Sequence, residues 1–109
     1  MKHYILDASH DVIEVDLLEC RRWHESRELE RTAVGLVLVL TSFAGIDISF
    51  GDGPPAFFET RVLDGIDELE CVDSSSWAHA TAVHRAMVER WSGWADAALG
   101  AAQRVLAGR

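Results

Sequence analysis

The sequence predicts a small α+β fold: an antiparallel sheet of four to five strands, a short helix, and a long C-terminal helix packed on one face. Three observations lead to this class. Short apolar segments separated by turn-forming residues fill residues 1–76, a pattern typical of strands. Residues 77–109 contain no proline, and their apolar positions recur every three or four residues, as in a helix. The length of 109 residues suits a single domain, 1–109, of which residues 92–109 would form a helical extension.

The first segment predicts strands followed by a short helix. Residues 3–7 form a first strand, and residues 12–15 either extend it or pair with it across a turn. Asp16 is a favourable helix N-cap, and Glu19 three residues later completes a pattern like a capping box. The helix that follows is expected to end near Ser26.

The most apolar strand is predicted to follow Gly35. Residues 29–40 have the pattern of a hairpin with Gly35 at or near its turn. Residues 36–40 are apolar without alternation, and such a run indicates burial on both faces of a sheet. We therefore expect this segment to be the central strand.

The remaining strands follow a loop rich in glycine and proline. The loop covers residues 44–55, and residues 56–63 form the next strand. Asp64-Gly65 is a tight-turn dipeptide. Residues 69–72 form the last strand, and the acidic residues around it predict a position at the edge of the sheet.

A long helix is predicted to begin at Trp77, after the N-capping serines of residues 74–76. Ser92-Gly93 either kinks this helix or splits it in two. Its apolar stripe consists of Trp77, Ala80, His84, Met87, Trp91, Trp94, Ala98, Ala101 and Val105.

Charge excludes one class of function. The net charge is −8, with −10 carried by residues 1–76 and +2 by residues 77–109. Phosphate neutralisation supplies most of the affinity for nucleic acid, so direct nucleic-acid binding is not expected. Such a chain suits a partner with a basic surface. The longest apolar run, residues 36–40, is too short to span a membrane, and no secretion signal is visible, so we expect the bacterial cytoplasm.

Five acids without an intervening base mark the predicted last strand. Alternation along a strand would place Glu68 and Glu70 on one face, with the other acids near its ends. This row is either a solvated edge that discourages sheet pairing or a partner-binding surface. The predicted partner-binding residues are Asp64, Asp67, Glu68, Glu70 and Asp73.

The final helix also predicts self-association. A helix of this length outreaches the sheet, so its C-terminal half needs another surface. Trp91, Trp94, Ala98 and Val105 are the predicted contacts of a homodimer. The alternative is a break at Ser92-Gly93, with the tail folding back on its own domain.

The sequence contains residues for two other kinds of site, a histidine pocket and a zinc site. His84 on the apolar stripe is either a core histidine or part of a ligand-binding or catalytic pocket with Asp47 and Glu59 under the 44–55 loop. No metal and no cofactor are expected, because Cys20 and His24 make only a weak zinc motif. Cys71 and His79 would have to complete that zinc site, and the two cysteines are expected to be reduced thiols, although a disulfide between them is left open.

The middle of the chain resembles a family of small phage and prophage proteins. The similarity rests on residues 43–47 (FAGID), 50–55 (FGDGPP) and 58–60 (FET), with a Tyr-Ile-Leu-Asp strand at residues 4–7. Arg61 stands where that family usually has methionine, and residues 92–109 extend beyond the pattern. The resemblance implies phage or mobile-element origin and a compact α+β fold, and it carries over no catalytic residue.

These observations together favour a non-catalytic phage-type inhibitor that binds a host protein, such as a CRISPR effector or a restriction enzyme. The alternative is a small-ligand binder or enzyme that uses the 44–55 loop.

Overall fold

A computed structural model describes residues 1–23, 25–51 and 53–107 of the chain. It contains six strands and two helices in the order β1 (His3–Leu6), β2 (Val12–Val15), α1 (Leu17–Arg22), β3 (Glu28–Val34), β4 (Val37–Phe43), β5 (Phe58–Asp64), β6 (Asp67–Ser74) and α2 (Trp77–Ala107). His24 of the zinc alternative, Asp52 of the phage-like motif and the last two residues of the extension lie outside this description. The predicted α+β class is confirmed.

The N-terminal strands form a hairpin of their own. β1 pairs antiparallel with β2, which resolves the alternative between extension and pairing. The side chain of Asp16 caps α1 by accepting the amide of Glu19 at 2.7 Å, as predicted. The helix ends at Arg22, before the predicted Ser26, because the backbone turns to an extended conformation at Trp23.

The remaining strands form one antiparallel sheet in the order β3-β4-β5-β6. Gly35 lies in the turn of the β3–β4 hairpin with a φ of 60°, a conformation that favours glycine. Gly65 has the same φ in the β5–β6 turn, where Asp64 pairs with Asp67. The prediction that β6 is an edge strand is confirmed.

The prediction that β4 is buried on both faces is wrong. Its residues alternate, with Val39 and Thr41 buried against α2 and Leu38 and Leu40 only partly covered on the opposite face. The strand is central because it pairs with β3 and β5. Among the described residues, helix α2 packs on one face of the sheet and no second helix or sheet covers the other.

The core lies between α2 and the sheet, in two clusters. One joins the N-terminal hairpin to the sheet and contains the buried residues Leu6, Phe43, Phe58 and Ala80. The other lies beneath the middle of α2 and contains Val34, Val37, Val39 and Val62, against which Met87, Trp91 and Ala95 pack.

Helix α2 is continuous from Trp77 to Ala107, so Ser92-Gly93 does not break it. The side chain of Ser76 accepts the amide of His79 at 3.1 Å and caps the helix start. A helix of 31 residues is ~46 Å long. It gives the molecule a long axis of 64 Å against widths of 29 and 24 Å. The alternative in which the tail folds back on its own domain is therefore wrong. None of the described helices is long and apolar enough to cross a membrane.

Candidate interaction surface

The face of the sheet turned away from α2 is the candidate interaction surface, and we call it the open sheet face. Strand register assigns its residues, because paired positions point to the same side. Its centre is apolar, and acidic side chains lie on the β5–β6 side. The open sheet face consists of Glu28, Arg31, Ala33, Leu38, Leu40, Ser42, Glu59, Arg61, Leu63, Glu68, Cys71 and Asp73.

An irregularity in β6 divides the predicted acidic row. Val62 pairs with Glu70, whereas its neighbour Leu63 pairs with Glu68, so Leu69 is an extra residue in the ladder. The side chain of Glu68 therefore belongs to the open sheet face and that of Glu70 to the helix face. The prediction that these two glutamates share a face is wrong, because the extra residue reverses the alternation between them.

Glu70 ties α2 to the edge strand. One carboxylate oxygen accepts a hydrogen bond from Arg90 Nη1 at 2.7 Å, and the other accepts one from Trp91 Nε1 at 3.0 Å. Both oxygens are engaged inside the molecule, and the side chain is only 22% exposed. Glu70 is thus a structural residue rather than part of a surface for a partner.

The remaining acids surround a cysteine. Glu59, Cys71 and Asp73 place their ligand atoms within 4.8 Å of one another. Burial first, and then the negative charges of Glu59, Glu68 and Asp73, together raise the pKa of the Cys71 thiol to about 11. Arg61 Nε lies 3.1 Å from Glu59 Oε1 and already neutralises one of these carboxylates.

The last two predicted partner-binding acids lie at the β5–β6 turn. Asp64 and Asp67 pair across the β5–β6 turn and both are exposed, but they follow the alternation of Val62 and point to the helix side of the sheet, not to the open sheet face. The prediction that they belong to the same surface as Glu68 is therefore wrong.

The zinc alternative gains no assembled ligand set. Cys20 lies on α1 and Cys71 on β6, and both are free thiols. The described residues bring three candidate ligands together at Glu59, Cys71 and Asp73 but include neither Cys20 nor His79 in such a cluster.

His84 is a core histidine in a chain of buried hydroxyl groups. Its Nδ1 lies 2.8 Å from Thr41 Oγ1, which in turn lies 2.7 Å from Thr60 Oγ1. Its Nε2 lies 2.9 Å from Thr32 Oγ1 and 3.8 Å from a carboxylate oxygen of Glu30. Burial lowers the pKa of His84, while the nearby Glu30 charge opposes that shift. The predicted partners, Asp47 and Glu59, are not its neighbours; two threonines, Thr32 of β3 and Thr41 of β4, take their place.

Asp47 organises the loop between β4 and β5. Its Oδ1 accepts the amides of Ser49 at 2.9 Å and Ala56 at 3.0 Å, which draws the two ends of the loop together. Hydrogen bonds from Ser49 and from the Ala56 amide hold the pKa of Asp47 below its usual value. Glu59 lies on the open sheet face, on the side opposite His84. The structure therefore does not bring Asp47, Glu59 and His84 into one pocket.

The predicted dimer contacts fall into two groups. Trp91 packs on the sheet and donates a hydrogen bond to Glu70, so its side chain belongs to the core of its own chain. Trp94 is 51% exposed and contacts Trp91 edge-on at 5.4 Å between ring centres. Ala98 and Val105 are exposed on the part of α2 that extends past the sheet. Between this part and the β3–β4 turn lies an apolar groove of about 560 Å³.

No family model, no curated protein and no solved structure matches this chain. The resemblance to phage proteins therefore stays a prediction, and the functional conclusion depends on the geometry of the open sheet face.

Proposed function

We propose that the protein is a non-catalytic, phage-type interaction protein that binds a host protein through the open sheet face. The host protein has a basic surface because it binds nucleic acid, as a CRISPR effector or a restriction enzyme does. One observation carries the proposal: an uncovered sheet face joins an apolar centre to unneutralised acids.

The apolar centre can supply binding energy. Leu38, Leu40 and Leu63 are adjacent on β4 and β5, and each is partly exposed. Apolar surface removed from water contributes roughly 25 cal/mol per Å² before the costs of association. A sheet face of this kind offers a flat platform whose centre can be desolvated by a partner.

The acids can supply selectivity for a basic partner. Arg61 bonds to Glu59 and Arg31 bonds to Glu28, so two of the four acids on this face are neutralised within the chain. Glu68 and Asp73 have no opposite charge among the ion pairs of the described residues. Each of them can bind a lysine or arginine of a partner, Glu68 beside Leu63 and Asp73 beside Glu59, about 13 Å apart along the strand.

The overall charge favours competition with nucleic acid. A chain of net charge −8 is attracted to the surface that an enzyme uses to hold a phosphate backbone. Occupation of that surface would exclude the nucleic acid, and the affinity should fall as salt rises.

The first test is made in bacterial cells that carry a CRISPR effector or a restriction enzyme directed against an infecting phage. Expression of the full chain should raise the plating efficiency of that phage in one of the two settings. The purified chain should also bind the purified effector or enzyme and inhibit its DNA cleavage. Full activity of both systems, together with no binding to either purified enzyme, would contradict the proposal.

The second test locates the surface. Reversing the charge of Glu68 and Asp73 together (Glu68→Lys with Asp73→Lys) should weaken binding at least tenfold, which corresponds to about 1.4 kcal/mol. The matched control is Glu25→Lys with Glu89→Lys, which makes the same change in net charge at exposed positions off the open sheet face. An equal loss in both variants would show that net charge, and not this face, determines the affinity.

A further inference from the structure

The end of α2 that lies past the sheet, residues 96–107, has an uncovered apolar face, and we call this segment the overhang. Side chains three and four residues apart share a helix face. Ala98, Ala102 and Val105 therefore continue the face that His84 and Trp91 present to the sheet. The face that forms the core along the first half of α2 meets no strand along the second half.

Exposed apolar side chains near the start of the overhang extend this apolar surface. Trp94 is 51% exposed, Val105 is 62% exposed, and Leu36 in the β3–β4 turn is 90% exposed. Trp94 and Ala98 line the groove of about 560 Å³ between the overhang and that turn, together with Leu36. Single exposed apolar residues are ordinary, but a contiguous set is typical of a contact surface.

We infer that the overhang pairs, antiparallel and about a two-fold axis, with the overhang of a second copy of the chain. A second copy has the same stripe of small and apolar residues, so a two-fold contact is complementary to itself. The alanines allow the helix axes to approach closely, and the larger Trp94 and Leu36 of one copy lie at the end where Val105 of the other arrives.

The distribution of charge favours this occupant and this direction. The overhang contains only two charged residues, Asp96 and Arg104, which lie off the stripe, whereas residues 1–76 carry a net charge of −10. An antiparallel pair places the two acidic sheets at opposite ends, roughly 18 Å apart along the 12-residue overhang. That separation exceeds the screening length of about 8 Å at physiological salt, so repulsion between the acidic sheets is weak. A parallel pair would place them side by side.

The length of the overhang sets the expected strength. Two paired overhangs of 12 residues bury less surface than a standard interface, which buries about 1,600 Å² in total. We therefore expect association in the micromolar range. Because the contact is apolar and salt screens the weak repulsion that remains between the acidic sheets, association should rise slightly with added salt, opposite to the salt dependence expected for the open sheet face. The two proposals can thus fail independently.

The test is sedimentation equilibrium of the full chain from low micromolar to several hundred micromolar concentration. The mass should rise from that of the 12.1 kDa chain to twice that value. Small-angle scattering of the associated form should give a maximum dimension of about 110 Å, since two 64 Å molecules overlap by the ~18 Å overhang. A monomer at every concentration, or a dimer no longer than one chain, overturns the proposal.

A matched pair of variants locates the contact. Ala98→Glu places a charge on the stripe and should raise the dissociation constant at least tenfold, or about 1.4 kcal/mol. Gln103→Glu adds the same charge to an exposed position on the back of the same helix and should leave association nearly unchanged. Circular dichroism checks that both variants remain folded. Equal association of both variants would place the contact elsewhere and overturn the proposal.

Discussion

Replacing Thr41 by valine should destabilise the protein far more than its small change in shape suggests. Thr41 Oγ1 is the link between His84 Nδ1 and Thr60 Oγ1, at 2.8 and 2.7 Å, inside the contact between α2 and the sheet. Valine fills the same space but can neither donate nor accept a hydrogen bond. Both neighbours are buried, so each would lose its partner where no water replaces it.

The magnitude follows from the two groups left unpaired. Each buried polar group without a partner costs about 1–3 kcal/mol, and a methyl group in place of the hydroxyl returns about 1 kcal/mol. The free energy of unfolding should therefore fall by about 2–4 kcal/mol. For a chain of about 100 residues this lowers the melting temperature by roughly 10–20 °C.

Two control variants separate the hydrogen-bond effect from packing. Thr60→Val removes one hydrogen bond and leaves Thr41 bonded to His84, so it should cost about 1–2 kcal/mol. The double variant should cost less than the sum of the single ones, because Thr60 is no longer left as an unpaired hydroxyl. The measurement is urea unfolding followed by circular dichroism at one fixed protein concentration. A cost for Thr41→Val no larger than that for Thr60→Val would refute this account of the buried network.

Three further outcomes are expected. Burial lowers the pKa of His84 below 6.5, so the unfolded chain binds a proton that the folded chain excludes; stability should be full above about pH 6.5 and decrease as pH falls from there to the lower folded pKa. Urea unfolding at pH 7.5 and 5.5 measures this, and His84→Leu should flatten the difference, whereas an unchanged slope would contradict it. Cys71 has a pKa of about 11 against an ordinary 9.0, so iodoacetamide at pH 8 should alkylate it roughly tenfold more slowly than an ordinary thiol. The scarcity of its thiolate outweighs the higher nucleophilicity of that thiolate. Mass spectrometry measures the alkylation of both cysteines, with Cys20 as the internal reference, and faster reaction of Cys71 would contradict the prediction. Gly35→Ala should lower stability by about 1–2 kcal/mol, because the turn needs positive φ and the new Cβ would lie 3.2 Å from Ala95 Cβ; an unchanged urea midpoint would show that the turn adapts.

Local patterns predicted most of the elements. Asp16 and Glu19 marked the start of α1, Gly35 marked the first turn of the sheet, and the proline-free periodic stretch after Trp77 marked α2. These features depend on interactions among residues close in sequence, namely capping, backbone conformation and helical spacing. They can therefore be recognised without knowledge of the fold.

The candidate surface was predicted only in part. The acids of β6 were visible in the sequence, but the extra residue Leu69 that separates Glu68 from Glu70 was not. A bulge is defined by the pairing of β6 with β5, and an alternating pattern assumes that no such bulge is present. The bond from Trp91 to Glu70 was missed for the same reason, since the two residues meet only when α2 packs across the edge strand.

The α+β class, the acidic character and the length of α2 could be predicted without the fold, because composition and periodicity are properties of the chain. The covered face of the sheet and the partners of His84, by contrast, depend on how distant segments pack together. Thr41 and Thr32 are 43 and 52 residues away from it in the chain, and they meet it only because β3 pairs with β4 and α2 packs across both strands. One long helix can cover only one face of a four-stranded sheet, so among the described residues the opposite face and the end of α2 stay uncovered.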